Sequence, residues 1–427
     1  MFRDQTSFQL SPFFDSDSFR ILVLQSCNVP AIRQVVIAIG ALTKACMTFH
    51  KQKDKQPSIC AVDARKHHGA AITEYSKALG LMREASSEGR QDLRTTLITS
   101  LLIACFECCH GNYALADAQV ESGIGLINSW RKSYPSRASE LSSPAPDVVE
   151  DLLIQMFFGL DIQSSMFGTK HTADQHRTMM YGGEDTVQNM PACFNDLETA
   201  RAYLQLIIKR LLHCMHSVIL SHNTENAVEG RTSSQSQQGY VEEQFLYDLV
   251  SDSSINPSTF QFEYIHYRSQ LDRWIYSFHS LLEQQPFLHH ELVVTLLRLG
   301  YRSCLLLLNT IIGQENVSLE EDTQNIAEII HESNIVVDGL RTRSNAHFMV
   351  VQGMIDPIRL SETLKLSSRS GRLEAIEILF RWPRSEGTSG SLFVGRTLNC
   401  AQLTKRNETI ALPIGDEVMR ETLREDL

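Results

Sequence analysis

The stretch from Leu93 to Trp130 constrains the fold of this chain more than any other, because its apolar residues follow a helical period. Leucine or cysteine recurs at every fourth position of its first half, at Leu93, Leu97, Leu101, Cys105 and Cys109. Residues four apart share one face of an α-helix, so this half predicts a helix with one apolar stripe. The turn residues 110–112, His-Gly-Asn, tolerate left-handed backbone and predict where that helix ends.

The second half of the stretch predicts a facing helix. Its apolar stripe consists of Tyr113, Ala116, Val120, Ile124 and Ile127. We expect the small residues Ala118, Gly123 and Gly125 to let the two helix backbones approach closely. The stretch as a whole therefore predicts an antiparallel helical hairpin that serves packing and interaction.

Helical periodicity also dominates the rest of the chain, and no run of alternating strands with hairpin turns appears. We predict an all-α fold of stacked antiparallel hairpins. The predicted helices cover residues 15–25, 30–51, 62–84, 147–167, 196–221, 242–251, 260–283, 289–313, 320–344, 358–370, 373–381 and 414–424. Asn195 is the expected N-cap of the helix at 196–221, with Glu198 three positions on.

Loops divide these helices into blocks within one domain that spans residues 1–427. Residues 133–146 are rich in proline, and residues 222–239 include the sequence TSSQSQQG, which has nothing apolar to bury. Both are predicted flexible linkers, and they leave helical blocks at 12–131, 147–221 and 240–427. Residues 168–188 are polar and contain two adjacent glycines, so we expect a loop on the surface there.

Composition and charge limit the classes of function. With 43% hydrophobic and 21% charged residues among 427, the chain has the balance of a globular protein with a large core. A net charge of −11 argues against unaided binding to nucleic acid, which needs clustered Lys and Arg. The short basic run at 51–55, KQKDK, is typical of a solvated loop.

The sequence also favours a protein that is neither secreted nor membrane-spanning. No apolar signal sequence with a basic start occurs, and Arg298 and Arg302 interrupt the most apolar run, residues 292–312. Ten cysteines without the spacing of a disulfide framework fit a reducing compartment, in which they pack as small apolar side chains.

Cys105, Cys108, Cys109 and His110 form one candidate metal or redox cluster. Successive helical residues point about 100° apart, so a single helix cannot place these four side chains tetrahedrally around an ion. We therefore interpret them as core residues and expect no metal ligand, cofactor-binding residue or catalytic residue in the chain.

Other chemical candidates are weaker. The pairs His213/His216, His67/His68 and His289/His290 lack the HExxH pattern of metalloproteases and are interpreted as partly exposed helical residues. Glu107, which shares a helical arc with Thr96 and Ser100, is expected to face water or a hydrogen-bonding neighbour rather than act as a base.

Neither nucleotide binding nor hydrolase chemistry is supported by a motif. The sequence Gly123-Ile-Gly125 lacks the third glycine and the preceding strand of a dinucleotide fingerprint. The GTSG sequence at 387–390 matches a serine-hydrolase elbow only loosely and is interpreted as a turn.

Five segments resemble the regulatory region of fungal zinc-cluster transcription factors, in the order usual for that family. They are the Cys-Phe-Glu to Gly-Leu-Ile hairpin, PAIRQVVIAIGAL at 30–42, LDIQSSMFG at 160–168, MPACFNDLETARAYL at 190–204 and RSGRLEAIEILFRWPRSEG at 369–387. The last departs from the family's usual Cys-Arg by reading Ser368-Arg369. The resemblance spans roughly the whole chain and implies an all-α regulatory domain that does not itself bind DNA.

The DNA-binding element of that family is a cluster of six cysteines that hold two zinc ions. The ten cysteines of this chain, at positions 27, 46, 60, 105, 108, 109, 193, 214, 304 and 400, contain no such run. A truncated gene model, a regulator without its own DNA-binding domain and a helical adaptor that has left transcription would each explain this.

The leading hypothesis is a non-enzymatic transcription regulator of a fungal metabolic or biosynthetic pathway, secondary metabolism included, located in the nucleus with the cytoplasm left open. We expect protein partners from the transcription machinery or a co-regulator, contact with DNA only indirectly or through a missing zinc cluster, and no membrane. A small-molecule effector and a homodimer are left open. The alternatives are a tetratricopeptide-like scaffold for protein–protein interaction and, less favoured, an enzyme with an unfamiliar site.

Overall fold

A computed structural model describes residues 16–50, 57–89, 91–134, 141–165, 171–228, 261–311, 319–343, 348–349, 369–381, 385–386 and 389–390. Their architecture is all-α, as predicted. The α-helices are α1 (Ser16–Gln25), α2 (Pro30–His50), α3 (Pro57–Ser87), α4 (Leu93–His110), α5 (Tyr113–Arg131), α6 (Asp151–Ser165), α7 (Ala173–Met179), α8 (Glu184–Gln188), α9 (Leu197–Val228), α10 (Gln261–Gln284), α11 (Leu292–Ile311), α12 (Leu319–Arg343) and α13 (Arg369–Arg381).

Short elements complete the described fold. Two 3-10 turns, Ser26–Asn28 and Pro286–His290, precede α2 and α11. Three strands of two residues each, β1 (Phe348–Met349), β2 (Ser385–Glu386) and β3 (Ser389–Gly390), form a ribbon in which β1 and β2 are parallel and β2 and β3 antiparallel. Strands this short add little to the core.

The predicted hairpin is present as α4 and α5, and its turn forms for the expected reason. Asp92 caps the start of α4 by accepting a hydrogen bond from the Thr95 amide at 2.7 Å. Gly111 ends the helix in the left-handed region, with φ of 85°, and its amide donates to the Cys108 carbonyl. In α5 the predicted stripe residues Ala116, Val120 and Ile127 are buried.

Helix α4 is buried on every side, which differs from the single stripe that its periodicity predicts. All twelve residues from Leu97 to Cys108 are buried, including the polar Thr99, Ser100 and Glu107. Helices α2, α5 and α6 pack around it, so α4 is the centre of an N-terminal core to which α1–α6 all contribute. A helix without a polar face is typical of such a central position.

The small residues of α5 act differently from the prediction. A Cβ atom on Gly123 would lie 2.1 Å from the ring of Phe157, so this glycine admits α6 rather than α4. Gly125 has open space around it, and Ala118 is exposed. The spacing of small residues along one helix shows where another helix can pack closely, but it does not show which helix packs there.

A second core surrounds α9. Its buried apolar side chains come from α6, from α8 to α13 and from the segments beside α8, and Trp274 of α10 belongs to it with no exposed surface. The indole of Trp274 donates to the Ala200 carbonyl at 2.8 Å and stacks on Phe278. Helix α6 joins the two cores, because Phe157 packs into the first and Phe158 into the second.

Several predicted boundaries are wrong. Residues 168–188, predicted as a loop, contain α7 and α8, and Met180 and Val187 are buried in the second core. Helix α9 continues to Val228, through the start of the predicted linker at 222–239. The N-cap of α9 is Asp196, which accepts from the Thr199 amide, rather than Asn195.

The predicted start of α6 is also wrong. Helix α6 begins at Asp151 instead of 147, because residues 141–149 form turns in which Ser143 is buried and donates through its amide to Asp151.

Other predictions fall outside the described residues. They include the helices at 242–251 and 414–424, all but the end of the helix at 358–370, and residues 229–239 of the predicted linker. The division of the whole chain into blocks within one domain also stays a prediction.

Three helices are long and apolar enough to cross a membrane by length and composition alone, within Pro30–Thr48, Leu93–His110 and Leu292–Asn309. Half of the first window and 67% of each of the other two are buried within the protein. An apolar helix occurs either in a protein core or in a membrane, so their composition does not distinguish the two settings. The absence of a membrane span stays an expectation.

We expect Leu101→Asp to destabilise the protein by about 3–5 kcal/mol, because Leu101 is only 1% exposed and the aspartate would be an unpaired buried charge. Thermal or urea unfolding followed by circular dichroism measures the change. Leu115→Asp on α5 is the matched control, since Leu115 is 50% exposed, and should change stability by no more than about 0.5 kcal/mol. Equal unfolding curves for the two variants would contradict the central position of α4.

Candidate functional site

A cluster of histidines lies between α7 and α9. His176 is the only buried residue of α7, and His213 and His216, one turn apart on α9, are buried beside it. His171, which precedes α7, is half-buried at the edge of the same cluster. We call these four residues the histidine layer.

The rings of the histidine layer are in direct contact. Nδ1 of His176 lies 2.9 Å from Nδ1 of His213, so one of the two nitrogens donates a hydrogen bond to the other. The ring of His216 stacks on that of His176 at 4.9 Å between centroids. His216 donates from Nε2 to the Ser165 carbonyl at 2.7 Å, which fixes its tautomer and joins α6 to the layer.

Burial keeps these imidazoles neutral. Burial, together with the neighbouring His216 and His171, lowers the pKa of His176 to about 3. The pKa of His213 falls to about 2 through burial and the nearby ammonium of Lys209. Burial also lowers the pKa of His216, although its hydrogen bond to Ser165 opposes the shift.

The prediction that His213 and His216 are partly exposed is therefore wrong. The same holds for His68, which is buried and stacks on His110 at 5.4 Å, whereas His67 is half-buried and His289 exposed. Within the described ranges, no three His, Cys, Asp or Glu side chains are placed to hold a metal ion. The expectation that the chain has no metal ligand stays a prediction.

A buried arginine lies one turn before the histidine layer on α9. Arg210, only 1% exposed, forms an ion pair with Glu184 of α8 and donates to the Met180 carbonyl at 3.1 Å and to Gln270 Oε1 at 2.9 Å. Tyr267 of α10 also donates to the Met180 carbonyl, at 3.3 Å. Helices α8, α9 and α10 are therefore tied together through one guanidinium.

The segment after α8 is held against α10 by its main chain. Arg273 donates to the carbonyl oxygens of Gln188 and Met190 at 3.1 and 3.2 Å, and the hydroxyl of Ser277 donates to the Pro191 carbonyl at 2.7 Å. Within the part of the chain that the structure describes, no carboxylate pairs with Arg273. Its charge is thus fixed in position and available to an anionic group.

An open cleft of about 580 Å³ lies between residues 190–192 and α10. The apolar part of its lining includes Met190, Pro191, Ile265 and Tyr276, and Arg268 and Arg273 add positive charge. Arg268 is already paired with Asp272 and Glu321, which leaves Arg273 as the cation with free capacity at this cleft.

The exposed face of α10 continues the apolar lining of the cleft. Phe262, Ile265 and Tyr276 are 73, 58 and 68% exposed, and their spacing of three and eleven residues places them on one side of the helix. We call Phe262, Ile265, Arg273 and Tyr276 the α10 surface. Large apolar side chains that share one exposed face mark interaction sites more often than scattered ones do.

The cysteine cluster of α4 is part of the core. Cys105 and Cys108 are buried and Cys109 is half-buried, and burial raises the pKa of all three thiols. A neutral thiol is a poor nucleophile and a poor metal ligand. These properties agree with the interpretation of the cysteines as core residues.

Glu107 is buried, so the part of its prediction that has it facing water is wrong and the part that gives it a hydrogen-bonding neighbour is right. It accepts a hydrogen bond from the hydroxyl of Tyr75 on α3. Burial of Tyr75, and then this hydrogen bond to Glu107, raise the pKa of the phenol. The pair is a structural contact between α3 and α4.

The structure describes the first of the two glycine motifs fully and the second only in part. Gly123 and Gly125 lie within α5, so they form no loop that could bind a phosphate. Residues 387–388 of the GTSG sequence lie outside the described residues, and Ser389 and Gly390 form β3. The polar groups described above are suited to holding helices together and to binding a partner.

The sequence pattern predicted two members of the histidine layer, His213 and His216, as a pair and missed His171 and His176. The signal for His176 would have been the sequence of α7, where Thr172 and Gln175 form a capping box that starts a helix. No local signal pairs Glu184 with Arg210, because 26 positions separate them in the sequence.

We expect Arg210→Met to destabilise the protein by about 2–3 kcal/mol, because it removes the ion pair with Glu184 and the hydrogen bonds to the Met180 carbonyl and Gln270. Chemical denaturation measures the loss. The double variant Arg210→Met/Glu184→Gln should recover part of it, since it removes the unpaired charge. Lys66→Met, which breaks the exposed pair with Asp63, is the control and should be neutral; an equally mild effect of Arg210→Met would disprove the buried ion pair.

Comparison with known proteins adds one finding. The family described as fungal specific transcription factor domain matches residues 1–353. Comparison with curated proteins and with solved structures gives no match. The matched residues include the histidine layer and the α10 surface.

Proposed function

Because the chain belongs to the fungal specific transcription factor domain family, we propose that it regulates transcription of a fungal metabolic or biosynthetic pathway from within the nucleus. The family match over residues 1–353 is the observation that carries this proposal. The net charge of −11 and the absence of a six-cysteine run from the sequence favour contact with promoters through another protein or through a separate zinc cluster.

The contact with the transcription machinery or a co-regulator is assigned to the α10 surface. Its partner would be an amphipathic helix that places apolar side chains against Ile265 and Tyr276 and a carboxylate on Arg273. Charge complementarity supports this choice, because Arg273 is held by carbonyl oxygens, which do not neutralise the positive charge of its guanidinium. Phe262 and Tyr276 are fourteen positions apart, so a partner helix of about four turns would cover the surface.

A regulatory role without catalysis is favoured over the alternatives. Transcription factor domains of this kind are not enzymes as a class, and the thiols of Cys105 and Cys108 are neutral and enclosed. A tetratricopeptide-like scaffold is not favoured, because the described α-helices range from 5 residues in α8 to 32 in α9 and so follow no fixed repeat.

We expect the chain, fused to a heterologous DNA-binding domain, to regulate a reporter gene that carries the matching operator. The double variant Ile265→Asp/Tyr276→Asp should weaken partner binding by about 30-fold or more, the loss typical of a central apolar contact, and so abolish regulation. Reporter output at equal protein level is the measurement.

The control is the fusion that carries Leu115→Asp, which alters an apolar residue on α5 that is 50% exposed. It should regulate the reporter normally. An inactive wild-type fusion would count against the regulatory function itself, whereas an active double variant would reject only the α10 surface.

We further expect the isolated protein to bind duplex DNA weakly at physiological salt and without sequence preference, because its charge opposes contact with phosphates. A mobility-shift titration with random and genomic duplexes measures this. Sub-micromolar, sequence-selective binding would show that the chain reads DNA directly.

A further inference from the structure

His176 is the one fully buried side chain within α7, and it can be protonated; the next residue, Met180, is buried as well. Of its seven residues only His176 is buried, with no exposed surface, whereas Asp174, Gln175, Arg177 and Thr178 are exposed. A helix of seven residues is far too short to be stable without packing. The attachment of α7 to α9 therefore depends on the fit of the His176 imidazole, together with the hydrogen bonds of Arg177 to Ser221 and of Arg210 to the Met180 carbonyl.

The surroundings of His176 suit a neutral ring. On α9 it meets His213 through the 2.9 Å contact between Nδ1 atoms and His216 through ring stacking. His171 meets it edge-on at 5.5 Å. If both His176 and His213 carried a proton on Nδ1, two N–H groups would point at each other and the hydrogen bond between α7 and α9 would be lost.

The charged groups around the layer are engaged in other contacts. Lys209 of α9 is paired with Asp161 of α6 at 2.8 Å, and its ammonium disfavours a second positive charge on His213. Arg210 of α9 and His266 of α10 share Glu184 of α8. On α7 itself, Arg177 pairs with the exposed Asp174 and donates to Ser221 of α9.

We propose that the histidine layer is a proton-operated latch, in which protonation of His176 and His213 under mildly acidic conditions releases α7 and α8 from α9. The geometry carries this inference: the buried side chain of a short helix is titratable, it contacts the imidazoles of His213 and His216, and Lys209 lies close to His213. The latch itself does not depend on the proposed function of the protein.

The pKa values determine the direction in which pH changes the stability of the closed latch. Both pKa values lie well below 6.5 while the latch is closed and would return to about 6.5 once the rings meet water. Above that pH neither state binds protons, so the closed form keeps its full stability. As the pH falls below about 6.5, only the open form takes up protons. Protonation of each imidazole therefore raises the equilibrium constant between the closed and the open form, the opening constant, by about 30-fold between pH 7.5 and 5.0.

Opening of the latch would reach the α10 surface. Arg273 is held by the carbonyl oxygens of Gln188 and Met190, which directly follow α8, and the Arg210–Glu184 pair ties α8 itself to α9. Release of α7 and α8 would remove these supports. If the α10 surface binds the partner, as proposed above, acidification would then weaken that binding.

Hydrogen–deuterium exchange of the full-length protein tests the latch. Exchange of peptides that cover residues 173–188 is followed by mass spectrometry from pH 7.5 to 5.0, with rates corrected by those of unstructured peptides of the same sequence. We expect the opening constant of 173–188 to rise by about 900-fold if both His176 and His213 contribute fully, and by at least about 30-fold. Peptides from α4 report global unfolding and should not show this rise.

Two variants assign the effect to the layer. His176→Gln keeps a group that can hydrogen-bond to His213 but cannot titrate, and should remove a factor of about 30 from the rise. His331→Gln, an exposed position on α12, should leave the rise unchanged. If His176→Gln does not fold, His213→Gln replaces it, and the wild-type comparison of 173–188 with α4 decides the proposal alone.

The proposal is overturned if exchange at 173–188 rises no more than exchange in α4, or if His176→Gln keeps the full pH dependence. Neither result bears on whether the chain regulates transcription, which the reporter fusion measures separately.

Discussion

The second half of the structure depends on the burial of one guanidinium. Arg210 sits in the middle of α9 and binds Glu184 of α8, the Met180 carbonyl and Gln270 of α10 at the same time. A buried cation is costly unless it is paired and hydrogen-bonded, so these contacts favour one arrangement of three helices. The apolar core alone would tolerate several arrangements, because apolar contacts have little directional preference.

That arrangement also determines what the protein presents to solvent. With α8 fixed, the carbonyl oxygens at its end hold Arg273, and Pro191 receives the hydroxyl of Ser277. Trp274 lies between Arg273 and Ser277 in the sequence, and its side chain faces the opposite way, into the core. The inner face of α10 is thus anchored by an aromatic cluster, and its outer face is left with apolar side chains beside a fixed positive charge. A surface of this kind is rigid before a partner arrives, which lowers the entropic cost of binding.

Sequence periodicity was sufficient for the fold class and most helices, since apolar side chains at helical spacing reflect burial directly. It failed where burial depends on a partner far away in the chain. Ser100 and Glu107 look like an outward arc of α4, yet they are buried because Gln119 and Tyr75 satisfy them. Likewise His176 and His213 are 37 positions apart, and nothing local shows that their nitrogens meet. The family resemblance supplied the regulatory function, whereas the polar contacts around α9 had to be read from the structure.

The buried side chain of α7 is an imidazole, so the helix can be attached by burial without being attached at every pH. A leucine at position 176 would attach α7 at any pH, because its burial does not change the binding of protons. The imidazole of His176 fills the same interior position when neutral, but its attachment weakens as soon as the free ring can be protonated. Since α7 is too short to persist alone, loss of docking and loss of the helix are one event. Release of the segment from 171 to 190 would therefore break the contacts of Arg210 with Glu184 and Met180, whereas the contacts of Trp274 with Ala200, Phe278 and Tyr301 lie outside that segment.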